Sequence, residues 1–245
     1  TMLFRGWDLL IKDLPEFLQA FFLVTIKVAA IGAICALVLG VLFGLLSSSR
    51  HKIIRFISRC YVELFQNTPV LIQVFFVYIG LPYLGFNLDS TIIAVIIISL
   101  YHGAYISEVV RSGIESVPRG QYEAAEAQGF SYLETMIYII LPQTVRMILP
   151  PLTTQIVNLI KNTSILQVIA GGDLMYVADC WAANTGITVP PYLVATVLYF
   201  AICYPLTCLS RHFEKKSLEG YKQKEKVVEK EVIMRQPAMV KGVRL

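Results

Sequence analysis

Residues 123–142 read EAAEAQGFSYLETMIYIILP. The stretch opens on alanines and glutamates, turns at a glycine and runs into an apolar segment closed by proline. Gln121–Gln128 is long enough for about two helical turns, roughly 12 Å, too short and too charged to cross a bilayer. Ala124, Ala125 and Ala127 favour helix at low entropic cost, and they leave a thin cylinder able to enter a cleft on another protein. Gly129 suits the left-handed position that ends a helix. Ser131 and Glu134 then have the S-x-x-E spacing of a capping box, so a second helix starts at once. Leu133, Ile137 and Ile140 or Leu141 share one face of it. Pro142 is expected to end that helix and permit a new direction. The expectation is a rigid two-helix elbow over about 119–142.

Around this elbow the chain is built for lipid. Its 245 residues are 56% hydrophobic and 16% charged, with a mean hydropathy of +0.64, against about 25% charged in a soluble domain. The apolar residues fall in runs near the ~20 needed to span ~30 Å of hydrocarbon. Five spans are expected in an all-α integral membrane protein, at roughly Ile26–Leu46, Tyr61–Leu81, Thr91–Arg111, Met147–Gln167 and Pro191–Leu209. Residues 1–25, with Trp7, Asp8, Lys12, Asp13 and Glu16, read as an external interfacial segment. The first apolar run is too long for a cleaved signal peptide and reads as an anchor.

Lysine and arginine give the orientation. The first connection carries Arg50, Lys52, Arg55 and Arg59, and the third carries Arg119 with Arg111 and Arg146 at its edges. The second and fourth carry none, and residues 211–245 hold ten Lys/Arg against five Glu. By the positive-inside rule the first and third connections and the C-terminus are cytoplasmic, and the N-terminus lies outside. The basic tail, 211–245, is expected to be disordered, and nucleic acid is not an expected partner. In the fourth connection, 171–190, a short external helix is open, and Trp181 reads as an interfacial aromatic anchor. Gly32, Ala36, Gly40 and Gly44 form a small-residue stripe for close helix packing, its partner unspecified. The five cysteines and three histidines form no CxxC or Cys/His cluster, so no metal site is expected.

The elbow resembles the EAA signature of permease subunits of binding-protein-dependent ABC importers, through Glu123-Ala124-Ala125, Gly129, Ile139 and Leu141-Pro142. The stretches ELFQNTPVLIQVFFVYIGLP (63–82), AYISEVVRSGIESVPRGQ (104–121) and QIVNLIKNTSILQVIA (155–170) are similar to the polar amino acid branch. The resemblance covers about residues 17–212, with 26–210 as the permease domain. Gln66 and Asn162 stand where that branch commonly has Arg and Asp, which leaves the substrate unassigned.

The resemblance implies a type I importer fold and a bacterial inner-membrane location. It also implies two ATPase subunits carrying ATP-Mg, a second permease subunit and an extracytoplasmic binding protein as partners. Glu123, Ala124, Ala125 and Gly129 would face the ATPase. No GxxxxGK[ST] phosphate loop occurs in this chain, so ATP hydrolysis is expected on a partner, with no cofactor here. A self-contained secondary transporter or channel driven by an ion gradient is the rival reading. A membrane enzyme would need HExxH, GxSxG or paired catalytic carboxylates, which are lacking.

Polar groups at membrane depth are costly and mark function. Thr68 and Gln73 in the second span and Lys161, Asn162 and Ser164 in the fourth are the expected lining of a translocation cavity. Lys161 could meet a substrate carboxylate. It could equally snorkel outward or pair with Glu63 or Asp173.

Overall fold

The computed structural model describes residues 6–49 and 51–235, with side chains up to Lys215. Its described elements are all helical. They are α1 (Trp7–Ala20), α2 (Ile26–Ser47), α3 (Lys52–Gln66), α4 (Val70–Tyr83), α5 (Ser90–Glu115), α6 (Arg119–Ala127), α7 (Tyr132–Glu134), α8 (Leu141–Asn162), α9 (Leu174–Thr185) and α10 (Val189–Arg235). Three stretches depart from α geometry, as π turns at Phe21–Thr25 and Thr135–Ile140 and a 3-10 segment at Thr163–Ile169.

Among the described residues four helices are long and apolar enough to cross a membrane, and a bent pair makes a fifth if it counts as one span. The first, Trp7–Ser47, is one rod of 41 residues, roughly 62 Å long and twice the hydrocarbon thickness. The segment read as a separate interfacial helix is therefore continuous with the first span. No glycine or proline separates Glu16 from Ile31, and the π turn at Phe21–Thr25 carries the ladder through. Leu10 and Phe17 of α1 are buried against Leu174, Ala178 and Trp181 of α9, which explains why α1 does not break away.

The most extensive helix contact joins α2 to α5. Gly32, Ala36, Gly40 and Gly44 all lie buried on α2, so the small-residue stripe finds its partner in α5. A Cβ at Gly44 would stand 2.6 Å from Cβ of Val110 and 2.9 Å from the Ser107 carbonyl. The glycines of α2 leave the room that Ile106 and Val110 of α5 fill, and so let the two backbones approach.

The second span is where sequence and structure differ most. Instead of one helix over Tyr61–Leu81, α3 and α4 meet at a bend of 98°. Pro69 leaves the helix at φ −61°, ψ 131°, the extended geometry its neighbours favour, and it offers no N–H to bridge the break. Thr68 and Gln73 close the gap. Gln73 Nε2 donates to Thr68 Oγ1 at 2.7 Å and lies 3.1 Å from the Phe65 carbonyl, while Thr68 Oγ1 donates to the Leu64 carbonyl at 2.8 Å. Ser58 ties α3 to α2 through Ser47 Oγ at 2.6 Å and the Phe43 carbonyl at 2.7 Å.

Pro142 does not end the second helix of the elbow. A single helical run covers Tyr132–Ile169. The π turn ends at Ile140 and Pro142 falls in the first turn of α8, where a missing N–H leaves little unsatisfied. Helix α10 runs on to Arg235, so residues 211–235, expected to be disordered, are helical in backbone. The last ten residues of that tail lie outside the described residues.

Candidate functional site

Helix α6 hangs from the end of the bundle that carries Arg111 and Arg119. It follows Pro118, in extended conformation at φ −56°, ψ 137°, and lasts nine residues. A Schellman motif closes it. The N–H of Gly129 reaches the Glu126 carbonyl at 3.0 Å and that of Phe130 the Ala125 carbonyl at 3.1 Å. Gly129 has φ +83°, which only glycine adopts without strain. The capping box then forms as its spacing predicts, with Glu134 N–H on Ser131 Oγ at 3.4 Å and Ser131 N–H on Glu134 Oε2 at 2.8 Å. The Ser131 hydroxyl, 2.7 Å from Glu134 Oε2, and the Ser131 N–H hold the Glu134 carboxyl below its usual range. The elbow is thus specified by local chemistry at both ends.

Helix α6 rests on the π turn Thr135–Ile140. Glu123, Ala124 and Gly129 are exposed, whereas Ala125 is 2% exposed. A partner approaching α6 meets the first three, and Ala125 instead seats the helix on its own subunit. The alanine run in the sequence does not reveal which alanine faces in.

The polar groups at membrane depth do not form one cluster. A cavity of about 430 Å³ opens between α5 and α8, lined among others by Gln66, Tyr105, Glu108, Ser112 and Gln155. None of Thr68, Gln73, Lys161, Asn162 and Ser164 lines it. Thr68 and Gln73 are committed to the α3–α4 bend, and Ser164 Oγ donates to the Lys161 carbonyl at 2.8 Å. Asn162 Nδ2 lies 3.1 Å from Nε2 of His102 on α5. Sequence reading missed this pair, because sixty residues separate its members and a lone histidine in an apolar run carries no spacing signal. Lys161 is exposed and makes no ion pair with Glu63 or Asp173. Thr154, two turns earlier on the same face, meets Ser210 Oγ of α10 at 3.2 Å, so Lys161 stands beside the α8–α10 seam.

The cavity wall is mostly apolar, with Val109, Met147, Ile148 and Pro151 beside the polar groups of Gln66, Tyr105, Glu108, Ser112 and Gln155. Glu108 is already engaged by Arg111, whose Nε lies 2.9 Å from Oε2, and Arg111 also binds Glu115. Gln66 Nε2 donates to the Ala104 carbonyl at 3.1 Å, fixing the end of α3 to the cavity wall.

At the opposite end of the bundle, Asp173 caps α9 by accepting from Met175 N–H at 3.0 Å and Tyr176 N–H at 3.2 Å. It therefore does not pair with Lys161. Burial pushes its carboxyl up to about 6. Glu63 is exposed and accepts from Asn67 Nδ2 at 2.7 Å. Trp181 is 7% exposed and donates to Asp13 at 2.8 Å. It fastens α9 to α1 inside the protein rather than anchoring in the interface.

Comparison with known proteins places this architecture. Residues 36–218 match the family described as the inner membrane component of binding-protein-dependent transport systems. A probable glutamine ABC transporter permease protein of Bacillus subtilis, GlnM, is 36% identical over 80% of this chain and 91% of its own length. The arginine transport system permease protein ArtQ of the same organism is 34% identical over 84% of this chain and 94% of its own. Among solved structures, an amino acid ABC transporter with histidines matches with a TM-score of 0.78 and 29% identity over 84% of this chain and 96% of its own. The MetNI methionine ABC transporter, at 16% identity and a TM-score of 0.59 over 83% of this chain, shares the fold.

Proposed function

Because the chain belongs to the inner membrane components of binding-protein-dependent transport systems, we propose that it forms half of the pathway of an ATP-driven amino acid importer. The observation that carries the proposal is α6, a short helix fixed at both ends, exposed at Glu123, Ala124 and Gly129 and seated through Ala125. A loop that only joined two spans would need neither the Schellman motif nor the capping box. A lever needs both, since it transmits motion only if it moves as a rigid body.

In this reading α6 docks on a separate ATPase subunit at the cytoplasmic face, with Glu123 offering a carboxylate to an Arg or Lys there. Two such ATPases carry ATP-Mg and drive two permease subunits between inward- and outward-open states. A second copy or a related chain supplies the other half. An external binding protein delivers the substrate on the side of α9. The C-terminal end of α10 and α6 lie in the cytoplasm, as the arginine distribution supports. Lys161, exposed and without an ion pair among the described residues, receives the carboxylate of the transported amino acid at the end of α8. Lipid covers the apolar outer faces of the bundle.

The test is reconstitution into vesicles with and without the ATPase partner. Uptake that requires ATP and ignores proton and sodium ionophores is the expected result. Uptake at full rate without ATP that follows an ion gradient overturns the proposal in favour of a secondary transporter.

A further inference from the structure

Where α8 ends, three successive side chains lock a change of helical geometry. The chain passes from α to 3-10 form at Thr163. Asn162 reaches across to His102 of α5 at 3.1 Å. Thr163 Oγ1 donates to the Ile160 carbonyl at 2.7 Å and meets Tyr199 Oη of α10 at 3.3 Å. Ser164 closes back on the Lys161 carbonyl. The backbone that carries Lys161 is thereby held from α5 through His102 and from α10 through Tyr199.

His102 is a costly way to hold it. The residue is 2% exposed. With the Asn162 amide donating to Nε2, the ring proton sits on Nδ1, which is buried with no close hydrogen bond and has the Gln155 carboxamide as its polar neighbour. Gln155, two turns before Asn162 on the same face of α8, lies beside the imidazole and lines the cavity. A buried donor left unmade penalises the fold, and an apolar pair of similar volume would not. A polar cluster of Asn162, His102 and Gln155 between membrane helices is costly to bury and marks a place where position matters.

We propose that His102 is a positioning residue, which anchors Asn162 and so fixes the Lys161 turn that receives the substrate carboxylate. The inference rests on the reading of Lys161 given above. The carboxylate never touches the imidazole. It meets an ammonium whose backbone is held still, and the entropy of ordering that turn is spent in folding rather than in binding.

Equilibrium binding of radiolabelled L-glutamine and L-arginine to the purified permease–ATPase complex tests this, with the melting temperature measured alongside. His102→Leu should weaken binding of the better-bound probe roughly fivefold, the worth of one hydrogen bond, with the melting temperature equal or higher. His102→Gln, whose carboxamide can still meet Asn162, should recover most of the affinity. Should His102→Leu fail to insert, Asn162→Leu removes the other half of the same bond and carries the same expectation. Unchanged affinity in the leucine variant, or affinity that falls only in step with melting temperature in both variants, overturns the proposal. Lys161→Met separates the two ideas. If it binds normally, the Lys161 reading itself fails. If it binds weakly while His102→Leu binds normally, only the positioning role fails.

Discussion

Single carboxylates show how position decides what the same group does. Asp89 caps α5 from an exposed loop, accepting from Thr91 N–H at 2.8 Å, and the Thr91 hydroxyl together with that N–H holds its carboxyl low. Asp89→Ala should lower stability by about 1 kcal/mol, read as melting temperature in detergent. Asp173 performs the same capping for α9 but is fully buried, so desolvation outweighs its donors and raises it from 3.8 to about 6. The folded state then holds a proton that the unfolded state releases. Its contribution to stability is fullest below pH 3.8, falls as pH rises to about 6 and levels beyond, a change of roughly 3 kcal/mol at most. Asp173→Asn keeps an oxygen for the cap and removes the titration. The difference in melting temperature between wild type and this variant should therefore shift between about pH 4 and 6 and stay constant above about 7. A constant difference across the whole range would contradict the burial account. The capping role of Asp173 was not legible from the residue type alone, since the sequence offered it as a partner for Lys161.

Elements differ in how far their sequence announces them. The α2 stripe is legible because four-residue spacing of glycine and alanine has few other uses in a helix, and the structure supplies α5 as the partner. Gly44→Ala should destabilise the bundle by roughly 2 kcal/mol, because the new Cβ meets Val110 and a backbone carbonyl that cannot swing aside. Gly80→Ala on α4 meets nothing within 4 Å and should leave the melting temperature unchanged. The elbow is legible for a similar reason, as caps are local and Ser131, Glu134 and Gly129 carry their own geometry. The 98° break between α3 and α4 is not. Residues 61–81 mix Glu63, Gln66, Asn67, Thr68 and Gln73 with apolar residues, and a proline within a membrane helix is compatible with a mild kink or a full break. What selects the break is the Thr68–Gln73 closure, which depends on a rotamer and not on a period. The single rod from Trp7 to Ser47 was hidden by Asp8, Lys12, Asp13 and Glu16. Their charges suggest an interface, while the buried Leu10 and Phe17 between them keep the helix in line.

Across the whole molecule, a membrane bundle of four long helices and one broken pair carries a small helix that is seated through Ala125 and exposed at Glu123, Ala124 and Gly129. The two alanines at the middle of that helix make opposite predictions. Ala125 is buried, so Ala125→Arg should reduce the yield of folded protein and its melting temperature. Ala124 is exposed, so Ala124→Arg should leave folding intact and affect only what α6 touches. The most direct test of the importer account is ATP-driven amino acid uptake by vesicles holding the Ala124→Arg permease with its ATPase and binding protein. Uptake should fall to a small fraction of wild type while the permease melts at its normal temperature and the ATPase still hydrolyses ATP. Wild-type uptake by that variant would contradict the assignment of α6 as the lever that couples another subunit's ATP hydrolysis to this chain.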